Sequence, residues 1–397
     1  MTVSLWQRQA SGATTECDVV VIGAGICGIA AALHLQRRGL RVRVVERHQP
    51  ASGASGRNAG FLMRGCADNY ADAVAAFGRE RTRDLWRLTE RNLQGLLAEG
   101  IRALPGTRMV PSVLAALGDR ERDRLRESLR LMREDGFDVG WWEGADAPRD
   151  AMTRSGRLLC ALVNPHDASC HPLEVLRSLA RKLESLPLEA CEVFAIEEGE
   201  GLAVVHASGA TLRCGHVLCC TNAYAPLLLP AMAGIVEPKR GQMLAVRAPG
   251  LTLHASYYLN FGSEYVRQTA SGEIVVGGMR TRHAEREVGY DDETTPWVQD
   301  DLERFASDLL GPGLEVVARW AGTMGFTKRH LPIITPAPGF PRGRVWFCGG
   351  FTGHGMSMAY EVSKHAIDAM LDDAPNPFAL AINPPPPRAT ATRTPRP

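Results

Sequence analysis

Apolar residues change their spacing several times along this chain, and each change marks an element. Val19-Val20-Val21-Ile22, following Cys17-Asp18, is an uninterrupted apolar run, the pattern of a strand buried on both faces of a parallel sheet. It enters Gly23-Ala24-Gly25-Ile26-Cys27-Gly28 and an alanine-rich stretch of helical spacing that ends at Arg37-Arg38-Gly39, where cations and a glycine suit a helix terminus. Val42 to Val45 reads as the next strand and stops at Glu46. Ala71 to Gly100 is predicted helical, with Leu85, Leu88, Leu93, Leu96 and Leu97 as its stripe, and Asp119 to Glu134 is a helix with a solvated, charge-alternating face. Pro172 opens a helix to about Leu183, and Cys191–Ile196, Leu202–His206 and Thr211–Cys220 read as strands. Alternating segments then follow at Gln242–Arg247, Ala255–Phe261, Glu264–Gln268 and Glu273–Gly277, with a hairpin turn at Ala270-Ser271-Gly272. A helix begins at Pro296 and runs to about Leu310; Val345–Cys348 is a last strand before a helix reaching about Asp372.

The first strand-turn-helix-strand unit carries chemistry. Gly23 permits a tight turn, Gly25 lets a pyrophosphate approach the backbone, and Gly28 lets the helix press against the strand. Helix N–H groups at Ile26 and Cys27 then face the phosphates, and Glu46 is placed for ribose hydroxyls, with Arg47 beside it. A glycine pattern alone is weak, but strand, helix, second strand and acid agree on a dinucleotide site. Ala51 to Gly60 is a second small-residue loop, with Ser55, Gly56, Arg57, Asn58 and Ala59 able to fold back along the same ligand. Gly349 to Ser357 is a third glycine-rich loop opening a helix, which aims N–H groups at an anion.

Composition narrows the alternatives. The chain has 397 residues, enough for two domains, and a net charge of +1 that gives no reason to expect nucleic acid. Its ten cysteines lack paired zinc spacing and are expected to be reduced thiols of a cytoplasmic protein. Residues 1–16 show no secretory pattern, and the longest apolar stretch, Val19 to Leu33, is too short and glycine-broken to span a bilayer. Residues 375–397, with four consecutive prolines, are expected to be a disordered tail. His166, Asp167, Cys170 and His171 could be drawn as a metal site, but they match no ligand spacing, and Pro172 explains the segment as a helix start; no metal is expected.

With these loops in place the sequence resembles the D-amino-acid-oxidase-like family of FAD enzymes, over most of Cys17 to Asp372. Three blocks carry the likeness further: Gly53-Ala54-Ser55-Gly56-Arg57-Asn58, the series Trp320, Gly322, Thr327, Arg329, Leu331 and Pro332, and Gly353-His354-Gly355-Met356. They are similar to the amine-oxidising branch typified by gamma-glutamylputrescine oxidoreductase. The resemblance implies a Rossmann-like α/β FAD-binding domain, discontinuous over 17–82, 156–226 and 320–374. Inserted in it is an α+β substrate domain on an antiparallel sheet, over 83–155 and 227–319. It implies non-covalent FAD, held by the residues above together with Val193 at the adenine, Thr221, Gly353, His354, Gly355 and Met356. The covalent cysteine of sarcosine oxidases corresponds approximately to Gly322 here.

The chemistry implied is oxidation of a small amine to an imine, hydrolysed to an aldehyde, with electrons passing to oxygen. His354, Tyr258, Arg267 and Trp320 are the candidate catalytic residues, and Tyr257 and Tyr265 are further pocket candidates. Relatives acting on glycine or D-amino acids hold the carboxylate with an arginine in a Trp-x-Gly-x-Arg arrangement, which reads Trp320-Ala321-Gly322-Thr323-Met324 here. Arg64, Arg267 and Arg280 are the cations that could reach the substrate instead. Oxygen-reducing relatives use a lysine near the flavin, absent from Val275 to Arg280, so a dehydrogenase passing electrons to a quinone or other carrier is the alternative. A non-catalytic flavin-bound protein is a second one. A disulfide reductase would need a redox cysteine pair after the first motif, and a flavin hydroxylase an aspartate where Gly349-Gly350-Phe351 stands.

Overall fold

The computed structural model describes residues 14–380. Its first layer is organised by Thr14–Ile22, which pairs in parallel with Val42–Val45 on one side and Ala210–Cys219 on the other. Val345–Gly349 extends the sheet in parallel and Ile333–Pro336 closes that edge antiparallel. Val193–Glu198 and Ala203–Ala207 form an antiparallel extension from Ala210–Cys219. Val19, Val20 and Val21 are at most 1% exposed, as a strand covered on both faces requires. The helices Ile26–Arg37 and Gly355–Asp372 pack together on one side of this sheet.

The second layer is an eight-stranded, mostly antiparallel sheet. Its order is Glu315–Phe326, Glu237–Arg247, Ile274–Gly278, Glu264–Gln268, Ser256–Leu259, Ser112–Ala116, Cys160–Asn164 and Gly140–Glu143. Strand periodicity sends neighbours to opposite faces. Leu244, Val246, Val266 and Val276 pack with Val298, Leu302, Ala306 and Leu309 of the Pro296–Leu310 helix. Met243, Ala245 and Val275 face the other way, onto Ala59, Phe61 and Met63. The sheet is therefore sandwiched between its own helix and the small-residue loop of the first layer.

Several boundaries differ from the sequence expectation, each because of a long-range pairing. The cut at 320 falls inside Glu315–Phe326, which pairs with Glu237–Arg247 along its whole length. Cys160–Asn164, assigned above to the nucleotide domain, lies between two strands of the eight-stranded sheet. Ala71 to Gly100 is two helices, Tyr70–Phe77 and Arg79–Ala98, because Gly78 turns at φ +86°. The sequence expectation of tails over 1–16 and 375–397 is too long at both ends where they can be described: Thr14 pairs with Thr211, and Phe378 is 6% exposed and accepts from the Ile334 N–H. Residues 1–13 and 381–397 lie outside the described residues, as does most of the expected proline-rich tail.

Glu99 ties the helices behind the first sheet. Its buried carboxylate accepts from Lys182 at 2.8 Å, from Tyr360 at 2.5 Å and from Arg37 at 2.5 Å, joining segments far apart in sequence. Burial alone would raise its pKa, but these three donors outweigh it and lower the carboxyl to about 2. A depressed folded-state pKa gives stability that is present above the unfolded value and lost as pH falls through the folded one. Glu99→Gln is expected to cost about 2 kcal/mol at pH 7. In denaturant titrations the gap to wild type should shrink as pH falls from 4.5 towards 2. A gap unchanged over that range would contradict this role.

Candidate active site

Two connected cavities run between the layers, sharing Gly25, Ala54, Ser55, Arg57, Cys220 and Asn222 in their walls. The larger, about 760 Å³, passes from Gly23, Glu46 and Arg47 to Val193, Thr221 and Tyr224. Gly23 adopts φ +101° and donates its N–H to Val45 at 2.8 Å. A Cβ on Gly28 would lie 1.9 Å from the Gly23 carbonyl oxygen, so only glycine lets the helix start this close to the strand end. Ser55 Oγ accepts the Ile26 N–H at 3.0 Å, which brings the second loop onto the first helix. The Glu46 carboxylate is oriented by the N–H groups of Ala24 at 2.9 Å and His48 at 3.0 Å. Arg47 lies over the Tyr224 ring, 4.1 Å from its centroid. The buried Thr221 hydroxyl has no partner among the described residues, so this cavity offers an unanswered polar group to a ligand.

The smaller cavity, about 370 Å³, continues past Ile26, Cys27, Asn58 and Ala59 to Gly353, His354, Gly355 and Met356. Thr352 and Gly353 take φ +50° and +84° before the Gly355–Asp372 helix, and Asn222 Oδ1 fixes the loop by accepting from Gly350 at 2.9 Å. The first-turn N–H groups of that helix have no side-chain cap. The opposite wall is aromatic. Phe61 meets Tyr258 edge-on at 4.7 Å, Tyr265 lies 5.7 Å from Tyr258, and His354 lies 6.5 Å from it. Burial raises both phenols, Tyr265 to about 12, so they are neutral donors at physiological pH. Burial lowers His354, whose Nδ1 lies 3.1 Å from the Thr352 carbonyl. A carbonyl only accepts, so Nδ1 carries the proton and Nε2 is left as an acceptor.

The structure sorts the candidates. Tyr258, Tyr265 and His354 line the cavity. Tyr257 does not: strand alternation turns it away, fully buried, with its hydroxyl on Asp150. Arg267 and Trp320 lie outside both linings and act behind the loop. Arg267 is 5% exposed and donates to the carbonyls of Ala59 and Cys170, while Trp320 Nε1 donates to Arg57 O at 2.9 Å. Arg57 holds the same loop, donating to Ser52 O at 2.8 Å and Ala321 O at 3.0 Å. Arg64 is paired with Glu90 at 3.0 Å. Gly28 and Gly56 are close-packing positions beneath the cavities, since a Cβ on Gly56 would lie 2.2 Å from Ala51 O. Met324 lines the cavity.

Sequence reasoning did not single out Phe61, Met243 or Phe326 for the lining. It also missed the buried meeting of Cys27 with Cys348 and Cys220, with sulfurs 3.4 and 3.6 Å apart. Glycine-rich turns flag Cys27 and Cys348, but nothing local in sequence shows that they converge. Elsewhere, His166 pairs with Asp138 at 2.6 Å on the surface, and Asp167 is buried against Ser112 and the Arg64 N–H, its carboxyl raised by burial to about 6.

A family model described as FAD dependent oxidoreductase, DAO, matches residues 18–369. Curated relatives include the gamma-glutamylputrescine oxidoreductase of Escherichia coli, 23% identical over 90% of this chain and 84% of that one. The glycine oxidase of Pseudomonas aeruginosa is 27% identical over 89% of this chain and 94% of that one. Among solved structures, glycine oxidase from Geobacillus kaustophilus superposes with a TM-score of 0.77 at 21% identity, covering 94% of this chain and 100% of that one. L-proline dehydrogenase from P. horikoshii gives 0.75 at 21% identity, covering 92% and 98%. The linked cavities fit FAD: the glycine turn, the acid, the open Thr221 hydroxyl and the second helix start lie along one continuous path. Replacing Gly25 tests that placement, because its Cβ would lie 2.9 Å from Ser55 Oγ and larger branches would enter both cavities. Gly25→Val should retain a wild-type circular dichroism spectrum and lose most bound FAD, read as the absorbance ratio of flavin to protein. Full FAD content would contradict the placement.

Proposed function

The chain belongs to the DAO family of FAD dependent oxidoreductases, and from that premise we propose that it oxidises the carbon–nitrogen bond of a small amine. The amine loses a hydride equivalent and a proton to become an imine, water hydrolyses the imine to an aldehyde and an amine or ammonia, and oxygen is the final electron acceptor. Bound FAD supplies the two-electron acceptor for the first step.

The observation that carries the reading is Met324. A thioether cannot form the paired charged hydrogen bonds that arginine gives a carboxylate, and losing them in a desolvated site costs roughly 2 to 5 kcal/mol. That supports an amine over a free α-amino acid. Tyr258, Tyr265 and Phe61 give the pocket an apolar wall with two phenol donors, which suits holding a C–H bond in place and excluding water. Neutral His354 can accept from a substrate N–H through Nε2. Main-chain N–H groups at Gly355 and Met356 would hold the flavin's pyrimidine edge, and the Gly322 position, where an added Cβ would lie 2.9 Å from Arg57 Cβ, supports non-covalent attachment.

A specific observation favours a second reading for the acceptor, a quinone or other carrier. No lysine is in the cavity wall among the described residues, and Lys239, across the sheet from Met324, is paired with Glu237 at 3.0 Å. A cation there would favour developing superoxide. The test is anaerobic mixing of FAD-loaded protein with polyamines, acylated diamines, N-methyl amino acids, glycine and D-amino acids. An amine should bleach the flavin at least tenfold faster than glycine or any D-amino acid, an estimate of about the lower end of that carboxylate penalty. Bleaching by glycine or D-amino acids with little by any amine would sink the proposal. Air admitted afterwards decides the acceptor: rapid return of the yellow colour supports oxygen, and return only with an added quinone supports the second reading.

A further inference from the structure

Three thiols meet where the first helix leaves the sheet. Cys27 lies in the first turn of Ile26–Arg37, Cys220 follows the strand Ala210–Cys219, and Cys348 belongs to the strand Val345–Gly349. The Cys27 sulfur is 3.4 Å from that of Cys348 and 3.6 Å from that of Cys220, and all three are free cysteines. Cys27 and Cys220 line the smaller cavity, so a small solute that enters it reaches them, while Cys348 is fully buried. No group of three ligating side chains among the described residues is placed to hold a metal ion, which sets a metal centre aside. Burial alone makes a thiol hard to ionise, as it does for Cys170, Cys214 and Cys219, which it pushes up to about 12. Cys27 departs in the other direction: the thiols of Cys220 and Cys348 donate to its sulfur, which lowers its pKa despite burial and raises theirs. Its place in the first helical turn favours the same anion.

We propose that Cys27 is an oxidation site for hydrogen peroxide, and that it closes a disulfide with Cys348 or Cys220, the two thiols that touch it. The electrons balance in two steps. The Cys27 thiolate attacks one peroxide oxygen: an S–O bond forms, the O–O bond breaks, and hydroxide leaves and takes up a proton to become water. The neighbouring thiol then gives up its proton and attacks the sulfenic sulfur: the S–S bond forms, the S–O bond breaks, and a second water leaves. Two thiols are thereby oxidised by two electrons, and one peroxide is reduced to two waters. Sulfurs 3.4 and 3.6 Å apart need move little more than an ångström to reach disulfide length, about 2.05 Å. A partner this close halts oxidation at a form that added thiols reverse, ahead of the irreversible sulfinic acid. Two-electron reduction of oxygen yields peroxide, so in the oxygen-accepting reading the site meets a product of the enzyme itself. The site goes beyond that reading, because peroxide from any source serves it.

Peptide mapping of the FAD-loaded protein, with hydrogen peroxide as the added oxidant, tests the site. Free thiols are alkylated in denaturant after the treatment. The non-reduced tryptic peptides are then fragmented, to tell Cys27 from Cys17 and Cys220 from Cys214 and Cys219, which share their peptides. Wild type should show Cys27 linked to Cys348 or Cys220 with the loss of two hydrogens, and dithiothreitol should return both thiols. In Cys27→Ser, peroxide should leave Cys220 and Cys348 as open to alkylation as in untreated protein. In the double variant Cys220→Ser/Cys348→Ser, Cys27 should gain two oxygens as a sulfinic acid that dithiothreitol does not remove. Cys27 still open to alkylation in treated wild type overturns the proposal. A Cys220–Cys348 link that forms equally in Cys27→Ser overturns it as well, as does a Cys27 that stays reduced, or is recovered by dithiothreitol, in the double variant. Because the peroxide is supplied, the outcome does not depend on any substrate: if the link forms while no amine reduces the flavin, the site stands and the amine-oxidising reading fails.

Discussion

The approach of the Gly28 backbone to the Gly23 carbonyl is the constraint on which the rest of the structure depends. A single methyl group at residue 28 would lie 1.9 Å from that oxygen, so the helix start can press onto the strand end only with glycine there. That contact sets where the first-turn N–H groups emerge, and Ser55 then brings the second loop to the same point. Arg267 and Trp320 hold the loop from behind by donating to its Ala59 and Arg57 carbonyls, and Arg57, which lines both cavities, ties it to the Ala321 carbonyl. The contribution of these hydrogen bonds is positional.

Around this corner the eight-stranded sheet divides its labour by face. One face buries aliphatic side chains against the Pro296–Leu310 helix, where their packing supplies most of the local stability. The other presents Met243, Tyr258, Tyr265 and Met324 to the cavity. The chemical environment follows from that geometry. Buried phenols and imidazole are held neutral, and Arg280, which has no ion pair among the described residues, follows the turn at Gly278 and Met279.

The elements defined by local pattern were legible in the chain. Val19–Ile22, the glycine turn, the Pro296–Leu310 helix and the last strand-helix unit lie close to where apolar spacing and turn residues put them. What sequence could not give was the partner of each side chain. Tyr257 and Tyr258 are adjacent and chemically alike, yet register alone sends one to Asp150 and the other to the cavity. Arg267 looked like a substrate ligand because arginine often is, and only the fold shows its donors spent on Ala59 and Cys170. Ser112–Ala116 and Cys160–Asn164 escaped notice because their strand character depends on pairing with each other across the chain.

The central claim is that the flavin ring and the amine meet in the cavity between Gly353–Met356 and the Phe61, Tyr258, Tyr265 wall. A crystal structure of the FAD-loaded protein tests it most directly. The account requires the ring to lie beside the start of the Gly355–Asp372 helix, with Tyr258, Tyr265 and Met324 around the open space at its reactive face. A ring bound elsewhere, or one whose reactive face is closed off from Tyr258 and Tyr265, would contradict it.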